Sequence, residues 1–211
     1  MEKCREILES GLKDLDLAIE DSRIEQLLDF IKLIDKWNKA YNLTAIRDKE
    51  EMVRLHLLDS LAILPFVEGR RIVDIGTGAG LPGIPLAICL PETEFTLLDS
   101  NAKKTRFVQQ AVLELKLKNV QIHHGRVEQY HPKVLFDAAL CRAFASLEDI
   151  VKLTAHLLNE GGILLAMKGQ SPDAELKRLS AKSSVVPIHV PGVEAERCLV
   201  RVETFEKIEV K

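Results

Sequence analysis

The sequence predicts an α/β fold: one doubly wound, seven-stranded and mostly parallel sheet with a helical extension in front. Three observations predict it. An apolar stripe at helical spacing begins the chain, short apolar runs alternate with helical segments from residue 71 onward, and a glycine-rich loop follows the first run. The 211 residues suffice for one domain with a small appendage. We expect the extension to cover residues 1–65 and the sheet domain residues 66–211.

Helical periodicity predicts the extension. Apolar residues three or four positions apart form one stripe along the first predicted helix: Ile24, Leu27, Leu28, Ile31, Ile34 and Trp37. A second helix is expected over residues 50–63. The link over residues 41–47 lacks the helical period, and we expect it to be an ordered connection.

Near-continuous apolar runs predict the strands. Five of them cover residues 72–75, 95–98, 120–123, 138–140 and 163–167. Such runs are typical of parallel strands that are covered on both faces. Two further runs, residues 185–190 and 199–202, lie too close together for a crossover helix, so we expect a hairpin and an antiparallel last strand.

Composition excludes several classes of protein. The apolar stretches are too short to cross a bilayer and the first residues lack an apolar core, so we expect no membrane span, no signal peptide and a cytoplasmic protein. The four cysteines and six histidines form no ligand motif, and we expect no metal. A net charge of -3 counts mildly against a nucleic-acid partner, although local patches decide such binding.

The loop after the first strand is the most informative segment. Asp74 ends the strand, and Gly76, Gly78 and Gly80 follow at every second position. Glycines allow a sharp turn and a close approach to a ligand, and Pro82 suits the first turn of a following helix. A carboxylate at position 74 would attract the ammonium group of a methionine moiety. A phosphate cradle would gain nothing from it.

A dinucleotide is the rival ligand. The spacing Gly78-x-Gly80-x-x-Gly83 also satisfies the dinucleotide fingerprint, and Asp99 lies at about the expected ~20 residues beyond it. Asp99 could accept hydrogen bonds from the ribose of either cofactor. Asp74, the antiparallel ending and the helical extension favour S-adenosylmethionine. An NAD(P)-dependent oxidoreductase would also need a hydride-transfer site, and the sequence contains no Tyr-x-x-x-Lys motif.

Several longer segments carry a resemblance to a known family. They are Asp74-Ile-Gly-Thr-Gly-Ala-Gly-Leu-Pro-Gly-Ile-Pro-Leu-Ala, Leu97-Leu-Asp-Ser, Arg142-Ala-Phe-Ala-Ser, Lys168-Gly-Gln, Trp37-Asn-Lys-Ala-Tyr-Asn-Leu-Thr-Ala and His56-Leu-Leu-Asp-Ser. The chain resembles the glucose-inhibited division protein B family, bacterial methyltransferases that act on guanine N7 of small-subunit ribosomal RNA. The resemblance implies a Rossmann-like class I methyltransferase fold. It also implies S-adenosylmethionine as the cofactor and 16S ribosomal RNA or the small ribosomal subunit as the partner.

The resemblance also implies site residues. By matching position, Gly76, Leu81, Val127, Glu128 and Arg142 are expected to contact the cofactor. This agrees with the topology, because segments after the third and fourth strands emerge at the same carboxyl edge as the glycine loop.

Arg142 is the residue that we expect to be catalytic. It follows directly on a buried strand, where an uncompensated charge would be costly, so it needs a partner. The sequence leaves three kinds of partner open: the cofactor carboxylate, an RNA phosphate, or a structural acid such as Asp74.

Basic residues suggest where RNA would bind. Lys103, Lys104 and Arg106 open the helix after the second strand, and with Arg126 they form a candidate phosphate-binding patch. Lys168, at the end of the fifth strand, is a further candidate. The alternative for the patch is a solvated helix face.

Methylation of guanine N7 sets modest chemical demands. The neutral base carries a lone pair at N7, so no proton has to be removed, and alignment of the reactants can supply most of the acceleration. We therefore expect no catalytic dyad. A non-catalytic ribosome-assembly factor with the same fold is the remaining hypothesis, and the intact glycine loop, Asp99 and Arg142 speak against it.

Overall fold

Helices form the extension. The computed structural model describes residues 1–142 and 146–203, and it begins with α1 (Glu2–Asp14) and α2 (Asp21–Tyr41). A third helical stretch changes geometry along its length: α3 (Lys49–Met52), a π-helical turn (Val53–Leu58), α4 (Asp59–Leu61) and a 3-10 turn (Leu64–Phe66). The helix predicted over residues 50–63 is therefore confirmed, but its π-helical turn was not foreseen.

Seven strands and four helices follow in alternation. They are β1 (Arg71–Ile75), α5 (Gly83–Cys89), β2 (Glu94–Asp99), α6 (Ala102–Glu114), β3 (Val120–His124), β4 (Phe136–Arg142), α7 (Leu147–Thr154), β5 (Leu158–Lys168), α8 (Asp173–Leu176), β6 (Ser183–Pro187) and β7 (Cys198–Glu203). Single 3-10 turns cover Val127–Gln129 and Ala155–Leu157. Each predicted strand is present. The run over residues 185–190 is strand only as far as Pro187.

The strands form one sheet in the order β3-β2-β1-β4-β5-β7-β6. The pairings among β1 to β5 are parallel, whereas β7 lies between β5 and β6 and runs antiparallel to both. The predicted antiparallel last strand is confirmed. The strand order reverses between β1 and β4, and in open α/β sheets a crevice for ligands forms at such a point, beyond the carboxyl ends of the strands.

The extension packs onto the sheet domain. Buried side chains of α1 and α2 belong to the same apolar cluster as those of α5 and α6, and the Phe30 ring lies 6.4 Å from that of Phe107. A second apolar cluster on the opposite face of the sheet includes Leu147 and Ile150 of α7. The domain boundary near residue 65 stays a prediction, because the apolar core continues across it.

Two further properties concern the described ranges alone. In residues 1–142 and 146–203, no helix combines the length and apolar character that a membrane crossing requires. Within the same ranges, no three His, Cys, Asp or Glu side chains are grouped closely enough to hold a metal ion.

Candidate active site

The glycine loop joins β1 to α5 and is tied to β2 by its backbone. Gly76 and Thr77 both donate N–H groups to the Leu98 carbonyl, at 2.9 and 3.0 Å. At Gly78, φ is +61° and a Cβ would make only ordinary van der Waals contacts, with Gly76 O at 3.8 Å and Lys104 Nζ at 3.9 Å. At Gly80, a Cβ would lie 2.5 Å from Ile84 Cδ1. Gly78 therefore leaves room for a ligand, whereas Gly80 lets the loop pack on α5.

Asp74 lies beneath this loop and is fully buried. Its Oδ2 atom accepts hydrogen bonds from Thr77 Oγ1 at 2.7 Å and from Gly83 N at 3.0 Å. Burial raises the pKa of the carboxyl to about 6, against the opposing effect of these hydrogen bonds and of the Arg142 charge. The structure thus places Asp74 where it supports the loop, and its predicted attraction for a cofactor ammonium group stays a prediction.

A cavity of about 430 Å³ opens at the carboxyl edge of the sheet; we call it the loop cavity. It is lined by residues at or beyond the carboxyl ends of β1, β2, β3 and β4: Gly76, Leu98, Asp99, Ser100, Lys104, Gly125, Arg126, Val127, Glu128 and Arg142. Five of the predicted cofactor residues therefore meet around one space. Leu81 does not line this cavity, because its side chain is buried in the core.

Asp99 ends β2 on the wall of the loop cavity. Its Oδ2 atom accepts a hydrogen bond from Gly78 N at 2.9 Å, and its Oδ1 atom accepts one from Asn101 N at 2.8 Å. Each carboxylate oxygen can accept more than one hydrogen bond. Asp99 thus holds the glycine loop in place and keeps acceptor capacity for a hydroxyl group of a ligand.

A second cavity of about 490 Å³ adjoins the first; we call it the helix cavity. It lies between the π-helical turn and the edge of the sheet, and its walls are Ile46, Leu55, His56, Asp59, Ile63, Arg142, Met167, Lys168, Gly169, Ile188, Arg197 and Cys198. The sequence did not predict this cavity. Its only sequence signal is the resemblance of the segment His56-Leu-Leu-Asp-Ser to the family.

Arg142 lines both cavities. Its Nη1 atom donates to the Leu55 carbonyl at 3.3 Å and to Asp59 Oδ2 at 3.2 Å. The partner of Arg142 is therefore a structural acid, as one of the open alternatives held, but it is Asp59 and not Asp74. The other carboxylate oxygen of Asp59 accepts a hydrogen bond from Arg197 Nε at 2.9 Å.

His56 is buried beside Arg142, on the π-helical turn. Its Nε2 atom lies 3.0 Å from Thr44 Oγ1. Burial, helped by the Arg142 charge, lowers the pKa of the imidazole to about 4, so the ring is neutral at pH 7. Thr44 is itself fixed by Asn38, whose side chain binds Thr44 N at 3.0 Å and the Ile46 carbonyl at 3.2 Å. These bonds order the link after α2, which supplies Ile46 to the helix cavity.

The predicted RNA-binding residues fall into separate places. Lys103 and Arg106 are exposed on α6, whereas Lys104 and Arg126 line the loop cavity. Lys168 lines the helix cavity and pairs with Glu175 at 3.4 Å. A phosphate-binding patch of Lys103, Lys104, Arg106 and Arg126 stays a prediction, with Lys168 apart from it on the helix cavity.

Two remaining sequence features concern the end of β4. The Cys141 thiol is buried, and burial raises its pKa to about 12, so it is protonated and unsuited to nucleophilic attack. The motif that begins at Arg142 continues into residues 143–145, which lie outside the described ranges.

The architecture matches that of known methyltransferases. A SAM-dependent methyltransferase from Aquifex aeolicus superposes with a TM-score of 0.57 over 84% of this chain and 98% of its own, at 17% sequence identity. The chain therefore has the fold of this class of methyltransferase, with a cavity at its glycine loop.

Sequence comparison then narrows the class to a family. The family model for rRNA small subunit methyltransferase G matches residues 23–200. A Legionella pneumophila protein of that name is 51% identical over 205 residues, which are 97% of each chain. A namesake from Hydrogenovibrio crunogenus is 49% identical over 203 residues, 95% of this chain and 94% of its own. The chain belongs to this family, which confirms the resemblance noted in the sequence.

Proposed function

We propose that the protein transfers the methyl group of S-adenosylmethionine to N7 of a guanine in 16S ribosomal RNA. The observation that carries the proposal is the meeting of two cavities at Arg142. A methyltransferase must bind the methyl donor and the methyl acceptor next to each other. The loop cavity and the helix cavity offer two such adjacent sites. The family name of the relatives supports ribosomal RNA of the small subunit as the substrate, and a substrate of this kind puts the reaction in the cytoplasm.

The loop cavity fits the cofactor. The Asp99 carboxylate would accept hydrogen bonds from the ribose hydroxyl groups, and Leu98 and Val127 provide apolar surface for the adenine ring. A side chain at position 78 would enter the space beside Lys104, which lines this cavity. Bound in this cavity, the cofactor supplies an electrophilic methyl group on a sulfonium.

The helix cavity is our proposed site for the target guanine. It is more apolar than the loop cavity, as a planar base requires, and its walls carry N–H donors from Arg142 and Arg197. Arginine commonly binds guanine through O6 and N7 together. Here N7 must stay free to attack the methyl group, so the arginine donors would meet O6 or the backbone oxygens of the target nucleotide.

The mechanism needs orientation and no proton transfer. With a pKa of about 4, His56 is a weak base; Cys141 is protonated, and Asp74 accepts hydrogen bonds beneath the loop. None of these buried groups is suited to act as a general base. Guanine N7 needs none, because its lone pair is available in the neutral base. The residues of the two cavities bind the reactants, align them and exclude water, which can supply most of the barrier reduction.

Mass mapping of ribosomal RNA tests the proposal. RNA from cells that lack the gene is incubated with the purified protein and methyl-labelled S-adenosylmethionine, as naked 16S RNA and as assembled small subunits. We expect a single 7-methylguanosine in the small-subunit RNA and none in large-subunit RNA. Label on another base, or no label on either form of the substrate, would contradict the proposal.

A further inference from the structure

Asp59 occupies an unusual position beside the proposed guanine site. It is 5% exposed, it begins α4 directly after the π-helical turn, and it lines the helix cavity. Its two carboxylate oxygens bind two different arginines, Arg142 of β4 and Arg197 of the segment before β7. One carboxylate thus links three parts of the chain at the wall of the cavity.

Each arginine is bound to Asp59 by only part of its guanidinium group. Arg142 uses Nη1, and Arg197 uses Nε, while its Nη1 donates to the Glu196 carbonyl at 2.8 Å. Within the described ranges no bond is made by Nη2 of either side chain. Both side chains remain about a quarter exposed, at 26% and 27%, on the same cavity. Donors therefore remain for a ligand.

The charges of this trio fit an electron-rich ligand. Two guanidinium groups and one carboxylate leave a net charge of +1, which favours oxygen acceptors on a nucleotide. Methylation of N7 also makes the base cationic, and the Asp59 carboxylate offsets the two neighbouring positive charges. Without it, the developing charge on guanine would face two uncompensated arginines.

We propose that Asp59 is a positioning residue for methyl transfer: it holds Arg142 and Arg197 so that their free N–H groups face the target nucleotide. The second anchor of Arg142, the Leu55 carbonyl, lies on the π-helical turn just before Asp59. The turn and the carboxylate together fix the guanidinium plane. This inference rests on the proposed function, because it takes the helix cavity as the nucleotide site.

Two variants of Asp59 test position and charge separately. Asp59→Glu keeps the charge but moves the carboxylate by one methylene, and Asp59→Asn keeps the shape but loses the charge. A shift of about 1 Å at a reacting centre can cost about 100-fold in rate. We expect kcat to fall about 30-fold or more in both variants, while the calorimetric Kd for S-adenosylmethionine stays within about threefold of wild type.

The control is the carboxylate of another ion pair, more exposed than Asp59, that also joins the region after the extension to the β7 region. Glu68 follows the extension and pairs with Arg201 of β7 at 2.8 Å, and neither residue lines a cavity. Glu68→Gln should leave kcat unchanged. Equal losses of kcat in Glu68→Gln and Asp59→Glu would mean that Asp59 acts only through the stability of the fold, and would overturn the proposal.

A double variant tests whether Asp59 acts through the arginines. If it does, Asp59→Asn combined with Arg142→Ala should lose less activity than the product of the two separate losses, because part of the Asp59 effect passes through Arg142. If the fall in kcat of the double variant equals the product of the two separate falls, the proposal is overturned. A wild-type kcat in Asp59→Glu would overturn it as well. Should Asp59→Asn fail to fold, the kcat of Asp59→Glu and its RNA affinity, measured by fluorescence anisotropy, still test the proposal. Failure of the wild-type protein to methylate 16S RNA would instead defeat the proposed function.

Discussion

Arg142 carries the greatest functional weight of any residue in the proposed site, because it alone among the described residues lines both cavities. We expect Arg142→Ala to lower methyl transfer by about 100-fold or more, a loss of about 2.7 kcal/mol of transition-state stabilisation. Arg142→Lys should recover little, since an ammonium group cannot contact Leu55 O and Asp59 while also offering a planar fork to the substrate. Single-turnover kinetics with labelled cofactor measure the effect.

Arg201→Ala is the matched control for this prediction. Arg201 is also a sheet arginine in an ion pair, but it lies on β7 away from both cavities. Its removal should change the rate less than about twofold, since loss of a largely exposed pair costs about 1 kcal/mol or less of stability. A wild-type rate in Arg142→Ala would remove Arg142 from the site.

Two buried residues, His56 and Asp74, give opposite contributions to the pH dependence of stability. The pKa of His56 falls to about 4 on folding, so its contribution is present above pH 6.5 and is lost as the pH falls through 4. The pKa of Asp74 rises to about 6, so its contribution is present below pH 3.8 and is lost as the pH rises through 6. In the wild-type protein the two contributions oppose each other over the same pH range.

Single substitutions should separate the two contributions. In Asp74→Asn only the contribution of His56 remains, so the free energy of unfolding should fall as the pH falls from 6.5 to 4. In His56→Gln only the contribution of Asp74 remains, so the free energy of unfolding should fall as the pH rises from 4 to 6. Each change amounts to at most about 3 kcal/mol. Urea denaturation followed by circular dichroism at several pH values provides the measurement, and slopes of equal sign in both variants would contradict it.

At the scale of elements, the glycine loop combines two functions that its sequence pattern does not separate. Gly78→Val would place a side chain in the space beside Lys104 and would strain a backbone with φ of +61°. We expect the Kd for S-adenosylmethionine to rise about tenfold or more, because the side chain would occupy space that the cofactor needs. The strain, about 1–3 kcal/mol, should lower stability with the fold retained. Titration calorimetry and circular dichroism measure the two properties.

Two other glycines provide controls. Gly161 in β5 has φ of +80° and nothing within 4 Å of its would-be Cβ, so Gly161→Val adds similar strain away from the cavities and should spare cofactor affinity. Gly80→Ala would bring a Cβ to 2.5 Å from Ile84 and should chiefly lower stability. Equal cofactor affinities in the Gly78 and Gly161 variants would show that Gly78 is a structural glycine only.

The π-helical turn is the element that the sequence pattern could not distinguish from an ordinary helix. Its apolar residues keep near-helical spacing, so periodicity predicts a continuous helix over residues 50–63. The change to a π-helical turn at Val53–Leu58 places the Leu55 carbonyl within reach of Arg142, 87 positions further along the chain. Such turns are frequent at functional sites, and here the turn contains Leu55, whose carbonyl accepts the hydrogen bond from Arg142.

At the scale of the whole molecule, an acidic protein with a net charge of -3 must bind a polyanion through local charges. We expect methylation of ribosomal RNA to fall steeply between low and moderate salt. Lys103→Glu should raise the KM for RNA and weaken this salt dependence, while sparing the cofactor, because Lys103 is exposed on α6. Lys104→Glu should weaken cofactor binding as well, because Lys104 lines the loop cavity.

Lys118→Glu is the control for overall charge. Lys118 is exposed beyond the other end of α6, and its reversal changes the net charge by the same amount. If all three variants show the same KM for RNA and the same salt dependence, the residues at the start of α6 form only a solvated face.

The sequence by itself determined the architecture and the place of the glycine loop in it. Continuous apolar runs, helical stripes and loop glycines are local patterns, and each reflects a local requirement of burial, periodicity or backbone conformation. They predicted the seven strands, the antiparallel β7 and the loop around which Gly76, Asp99 and Arg142 meet. Local chemistry is enough here because each of these features depends on residues close together in the chain.

Only the tertiary structure decided the partners of the buried charges. Asp59 meets Arg142 across 83 positions and Arg197 across 138, and no local pattern records such a meeting. The same applies to Asp74, which the fold buries beneath the loop, and to Lys104, which it turns towards the loop cavity. A buried ion pair forms where the fold brings opposite charges from distant segments together out of water. Here the packing of the extension and β7 against the sheet brings these segments together.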